Sequence, residues 1–137
     1  MAFDVKHINP LDLTPSISVG VSIPFSAGAV FNRTYETKDA IKANLINFFL
    51  TNKGERYLNP NFGSNLRSLL FENITNDSLE GVKEVIADVV KNYFPRVSPT
   101  QIEVNGDPDT HTVRFYMEYR IIDSNIVNQV IVLDVTQ

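Results

Sequence analysis

The stretch from Ile41 to Gly63, IKANLINFFLTNKGERYLNPNFG, decides how this chain is to be read. An apolar helical run stops, an acid and a base follow at Glu55 and Arg56, and Asn59-Pro60 and Phe62-Gly63 lead into another helical segment. Ile41, Leu45 and Phe48 recur at helical spacing, and Ile46, Phe49 and Leu50 widen the stripe, the pattern of a helix facing a core. Thr37 reads as its N-cap, with Asp39 in the first turn where the helix dipole favours negative charge. Gly54 suits the left-handed position just past the helix end, with Lys53 near the negative terminus. Glu55 and Arg56 read as a pair that braces the loop. Together with Pro60, Phe62 and Gly63 they make a corner of fixed geometry between two helices.

Beyond the corner, Ser64 is placed to cap a short second helix holding Leu66, Leu69, Leu70 and Phe71. The segment NITNDS over 73–78 is turn chemistry, and Asp77 with Glu80 resembles a capping box. From Leu79 a third helix sets Leu79, Val82, Ile86, Val89 and Tyr93 on one face, and Pro95 ends it. After Arg96 the period changes to two. Ile102 and Val104 predict a short strand, and NGDPDTH turns it round. Val113, Phe115, Met117, Tyr119 and Ile121 then alternate with Arg114, Tyr116, Glu118 and Arg120, giving one buried and one wet face. Asp123-Ser124-Asn125 turns the chain into a last strand over 127–135, with Val127, Gln129, Ile131, Leu133 and Val135 on one side. Helices followed by a three-stranded antiparallel meander predict an α+β fold, with three helices on one face of the sheet.

Upstream, residues 1–36 differ from the rest. Pro10, Pro15 and Pro24 disfavour a long helix, and Ser16 to Val21 alternates loosely enough to pair as a short strand. We expect an extended arm over 1–36 and a single α+β domain over 37–137. An arm with little core of its own lies over its domain or on a neighbour, because alone it cannot offset its ordering entropy.

Composition narrows the function. The absence of cysteine removes a disulfide framework, a thiolate zinc site and a cysteine nucleophile together, and fits folding in a reducing compartment. A net charge of -4 argues against sequence-independent nucleic-acid binding, which needs a basic footprint. The opening MAFDVKHINP has no signal-peptide pattern, and the densest apolar run, INFFL, is far too short to span a bilayer. We therefore expect neither nucleic acid nor membrane as partner.

Enzymatic motifs are sparse. The glycines never cluster as in phosphate or dinucleotide loops, and no serine stands in a nucleophile elbow. His7 and His111 lack neighbours at metal-ligand spacing, so no metal and no cofactor are expected. The remaining enzymatic alternative is a small peptidoglycan hydrolase using paired carboxylates, with Glu55 and Glu72 as candidates. Lys53 and Arg56 beside Glu55 favour its ionised form and oppose a general-acid role. No catalytic residue is assigned.

One family does come into view. The run LTNKGERYLNPNFGSNLRSLLFENIT resembles the baseplate-wedge, sheath-initiator family of contractile phage tails. Thr51, Gly54, Glu55, Arg56, Pro60, Phe62 and Gly63 carry the likeness, and Leu70-Phe71-Glu72-Asn73 continues it. The family's Glu-Pro-Arg signature maps onto Phe94-Pro95-Arg96 after Tyr93, with Phe94 where the family has glutamate. The C-terminal RIID and the strand containing Gln129 also fit, so the resemblance covers roughly residues 20–137. It implies a fold similar to the assembly domain of the sheath subunit. It also implies a virion protein of the tail baseplate, assembled in the host cytoplasm, in six copies. Implied partners are the tail sheath protein, the wedge core-bundle proteins and tail tube or hub proteins. The implied contact surfaces are Tyr93, Phe94, Pro95 and Arg96 for the core bundle, and the last strand, with Gln129, Ile131, Leu133 and Val135, for strand addition.

Overall fold

Phe48 lies at the middle of the molecule, and the elements are best followed from it. The computed structural model describes residues 10–14, 16–23, 33–68, 76–107, 109–122 and 124–136. Among these, β1 (Gly20–Val21) pairs antiparallel with β2 (Arg33–Thr34), α1 spans Thr37–Leu50 and α2 spans Asn76–Tyr93. β3 (Val97–Asp107), β4 (Thr112–Ile121) and β5 (Gln129–Thr136) form a separate sheet in the order β3-β4-β5, antiparallel throughout. This is the α+β arrangement expected, with helices against one face of a three-stranded meander.

Burial along β4 follows the strand period: Val113, Phe115, Met117, Tyr119 and Ile121 are buried while Arg114 and Arg120 are exposed. Ile131 of β5 and Val97 and Val104 of β3 extend that face. On the wet face Arg114 lies directly opposite Asp134, and its Nε donates to the carboxylate at 2.7 Å. The guanidinium beside Asp134 holds that carboxyl below its usual range.

α1 is buried on more than one side, because one of its rings meets the sheet and the next meets the end of α2. Phe49 meets Phe115 of β4 with ring centroids 5.0 Å apart. Phe48, about 100° round the helix, packs against Phe94 at 5.4 Å and Tyr93 at 4.9 Å. On α2 the buried positions are Val82, Ile86 and Val90, with Val89 only half-buried, so the inward stripe is centred slightly off the expected one.

Several local expectations are corrected. Thr37 is the first helical residue and Glu36 the N-cap; the Thr37 N–H and hydroxyl both donate to Asp12, at 2.9 and 2.7 Å. A carboxylate from a 3-10 turn at Pro10–Leu13 thus supplies the cap that the local sequence lacks. Leu50 is 55% exposed, so it leaves the stripe it was expected to widen. α2 begins at Asn76, within the segment expected to be turn; the side chains of Asp77 and Leu79 lie outside what the structure describes. β3 is eleven residues long, not a short strand around Ile102. It accommodates Pro99 because a register shift between Pro99 and Gln101 bulges the strand there. β5 starts at Gln129 and leaves Val127 exposed, since Asn128 with φ 56° turns the backbone between them. Ser64 does cap a helical turn over residues 66–68, accepting the Leu66 N–H; Leu69, Leu70 and Phe71 lie outside the described residues, as does His7.

The first segment is tied to α1 as well as to β2. A Cβ at Gly20 would come within 2.9 Å of the Thr34 hydroxyl and 3.0 Å of the Ala40 Cβ, so only glycine allows this approach.

Replacing Phe48 by alanine removes the shared partner of four other rings and is expected to lower stability by about 3 to 5 kcal/mol in urea unfolding, against about 1.5 kcal/mol or less for Phe48→Met. Tyr119 is fully buried, its hydroxyl has no hydrogen-bond partner among the described residues, and burial pushes its pKa up to about 12. Its neutral form is therefore favoured in the fold, and stability drops as pH rises above the ordinary tyrosine value of 10, where the unfolded chain ionises first. Tyr119→Phe is expected to be neutral to about 1 kcal/mol stabilising at pH 7 and to flatten the alkaline part of the stability profile.

Candidate protein interface

The corner after α1 is a closed loop. α1 ends at Leu50, and Thr51 caps it in extended conformation, its N–H and hydroxyl both donating to the Asn47 carbonyl at 3.1 and 2.6 Å. Gly54, expected just past the helix end, instead sits three residues further on with φ 92°, and its N–H donates to the Pro60 carbonyl at 2.7 Å across the loop. At the far side the Ser64 N–H returns to the Thr51 carbonyl and the Ser64 hydroxyl to the Phe49 carbonyl. Gly63 lies between them with φ 126°; a Cβ there would fall 2.5 Å from the Thr51 oxygen. The loop closes only with glycine at this point.

Glu55 and Arg56 brace the loop separately, not as the pair expected. Both Glu55 oxygens accept from Asn52, one from its backbone N–H at 3.0 Å and one from its side-chain amide at 2.9 Å. Those bonds hold the Glu55 carboxyl below its usual value. Arg56 lays its guanidinium over the Phe62 ring, 3.9 Å from the centroid. Phe62 in turn packs edge-on against Phe48 at 5.2 Å.

The loop is fastened to the end of α2. The Tyr93 hydroxyl donates to the Asn61 carbonyl at 2.7 Å, and its ring tilts against Phe48. Of the four residues singled out at this helix end, Tyr93 and Phe94 therefore take part in packing, whereas Pro95 and Arg96 are exposed. The Arg96 carbonyl accepts the Ile122 N–H at 2.7 Å, which fixes its backbone against the turn after β4. The structure thus brings Gly54–Gly63 and Tyr93–Arg96 into one region.

β5 is separate from it. Gln129 is half-buried at the strand start, Ile131 is buried, and Leu133 and Val135 pack against the core. Their side chains are committed inward; what β5 offers outward is its backbone edge, with Val132 and Asp134 on the solvent face. Among the described residues β5 pairs only with β4, and β3 only with β4.

Among the described residues no pair of carboxylates is arranged for hydrolysis. A general acid needs a raised pKa, and Glu55 is shifted the other way; Glu72 lies outside the described residues. Among the described residues no group of three or more His, Asp or Glu side chains is placed to hold a metal ion. A cleft of about 500 Å³ between β2 and α1 is lined by Arg33, Glu36, Asp39 and Lys42, a mixed set in which Glu36 is paired with Lys38.

The described residues thus present two exposed sheet edges and a braced loop. A family model described as "Baseplate wedge protein gp25" matches residues 35–126, and the chain belongs to that baseplate wedge family. It is 33% identical over 85 residues to the baseplate wedge protein gp25 of Enterobacteria phage T4. That match takes in 62% of this chain and 64% of the phage protein, so the chain spans a little under two thirds of this relative's length. Among solved structures it resembles a crystal structure from Geobacter sulfurreducens carrying a tail lysozyme name, with TM-score 0.64, 18% identity and coverage of 74% of this chain and 91% of the other. It also resembles a chain of the six-fold symmetrised anti-feeding prophage baseplate, with TM-score 0.52, 19% identity and coverage of 83% and 79%. At these identities the two structures establish the shared fold.

Two features escaped the sequence reading. Tyr57 and Leu58, which fit neither a helical nor an alternating period, are 97% and 95% exposed at the loop tip. Asp12 caps α1 from 25 residues away, which no local pattern announces.

Because Glu55 is held below its usual value of 4.5, its support of the loop is present above that value and is lost as pH falls through the lowered folded value. An NMR titration should show the Asn52 amide resonance moving only below about pH 4.5, and Glu55→Gln should abolish that step.

Proposed function

We propose that the chain is a structural wedge component of a contractile-tail baseplate, joining the wedge core bundle to the tail and starting the sheath by strand addition. The observation that carries this reading is the contrast between the two edges of the sheet. β3 has Pro99 and a bulge on its length, devices that discourage pairing. β5 has neither, and among the described residues no strand pairs with its outer edge, where the Arg67 side chain donates to the Thr136 carbonyl at 3.1 Å.

A strand laid along β5 gains backbone hydrogen bonds, while its alternate side chains decide specificity. On one face it continues the row of Ile131, Leu133 and Val135, so apolar residues at every second position extend the core there. On the other it meets Val132 and Asp134. A sheath-subunit arm is the partner this geometry fits. Pro95 and Arg96, held on a fixed backbone, present a guanidinium fork to carboxylates or carbonyls of the core bundle. Tail tube or hub proteins complete the neighbourhood, six copies follow from the symmetry of such baseplates, and the site of action is the virion tail. The role is non-enzymatic; the lowered pKa of Glu55 supports that over a peptidoglycan hydrolase.

Particles lacking this protein are expected to form no ordered sheath on their baseplates in electron micrographs, with sheath restored by the wild-type chain in trans. Normal sheath without it overturns the reading. Muralytic activity of the purified protein that vanishes in Glu55→Gln would replace it with the hydrolase.

A further inference from the structure

Tyr57 and Leu58 are the most exposed large apolar side chains among the described residues, and they stand on one of the most heavily braced loops in the chain. An apolar pair at the tip of a slack loop can fold back against its own domain. Here that is prevented. On either side of the tip, the Gly54 N–H is bonded to Pro60, the Asn59 N–H to the Arg56 carbonyl, Glu55 to Asn52, and Arg56 is stacked on Phe62. The backbone that holds the pair outward is thus ordered before any partner arrives, which removes part of the entropic cost of binding.

Charge indicates what the tip meets. Among the described residues the loop carries Lys53, Glu55 and Arg56, and the helix end fastened to it carries Lys91 and Arg96, four cations against one carboxylate in a chain of net charge -4. A second copy set face to face on this surface would oppose cation to cation. A bilayer would receive only two apolar side chains, without an amphipathic helix to follow them. We infer that the Tyr57-Leu58 tip is a preformed knob that inserts into an apolar pocket rimmed by carboxylates on another protein of the assembly, with Arg56 beside it. This rests on the baseplate reading given above and adds to it a contact distinct from the helix end and the β5 edge.

The test uses assembled particles in which Leu58 is replaced by photoreactive benzoylphenylalanine. Irradiation is expected to join it to a different chain, at a segment where apolar residues alternate with Asp or Glu. Crosslinking to a second copy of this protein, or no crosslink, overturns the inference. In parallel, Tyr57→Ser with Leu58→Ser should leave thermal unfolding unchanged and cut incorporation into baseplates at least tenfold, as expected for removal of a central anchor. Unchanged incorporation overturns the knob while leaving the baseplate reading intact, whereas absence of the wild-type chain from purified baseplates removes both. Binding of the wild-type protein, but not the double variant, to vesicles of phosphatidylglycerol and phosphatidylcholine would make the target a lipid surface and likewise overturn it.

Discussion

The packing of four aromatic rings round Phe48 is the constraint on which the rest of the structure depends. Phe49, Phe62, Tyr93 and Phe94 lie within 5.9 Å of it, centroid to centroid, and come from the helix itself, the loop and the end of α2. Edge-on and tilted pairs of this kind contribute about 0.5 to 1.5 kcal/mol each beyond the area they bury. Their greater effect is geometric. A single side chain sets the loop, the first helix and the second helix end in one relation, and Phe49 beside it carries that relation to the sheet through Phe115. Phe94, where the resemblance leads one to expect glutamate, adds its ring to the cluster.

The corner was legible as a corner because its glycines and proline are backbone statements, but the jobs of its residues were not. Gly63 is demanded by a close approach to the Thr51 oxygen, a contact between residues twelve apart that no periodicity encodes. Glu55 and Arg56 stand adjacent in sequence, yet one turns to Asn52 and the other to Phe62, because hydrogen bonding and ring stacking at those distances satisfy each better than an exposed ion pair. The sheet was read well where alternation is strict, as along β4. It was read short at β3, where only Ile102 and Val104 marked a strand, whereas a bulge between Pro99 and Gln101 lets the strand run from Val97 to Asp107. Capping of α1 was misassigned to Thr37 since the true partner, Asp12, arrives from a distant turn.

The interface residues divide along similar lines. Arg96 was identifiable from a motif, and the structure leaves it exposed beside a fixed backbone. Gln129, Ile131, Leu133 and Val135 were singled out on the last strand for strand addition; burial turns Ile131, Leu133 and Val135 inward and leaves the main-chain edge for that proposed contact. Tyr57 and Leu58 were passed over because apolar residues in a turn-rich stretch resemble noise. They gain meaning only when the bracing beneath them is visible.

The inequality of the two sheet edges has a consequence for growth. Sheets open at both sides can add strands in both directions and tend toward fibrils. Here the edges are unequal: Pro99 and its bulge discourage pairing on β3, and under the proposed strand addition only β5 accepts. Under that proposal a subunit with a single acceptor edge does not polymerise with itself into a ribbon, and a lattice of another chain begun on it has its direction set from the first strand.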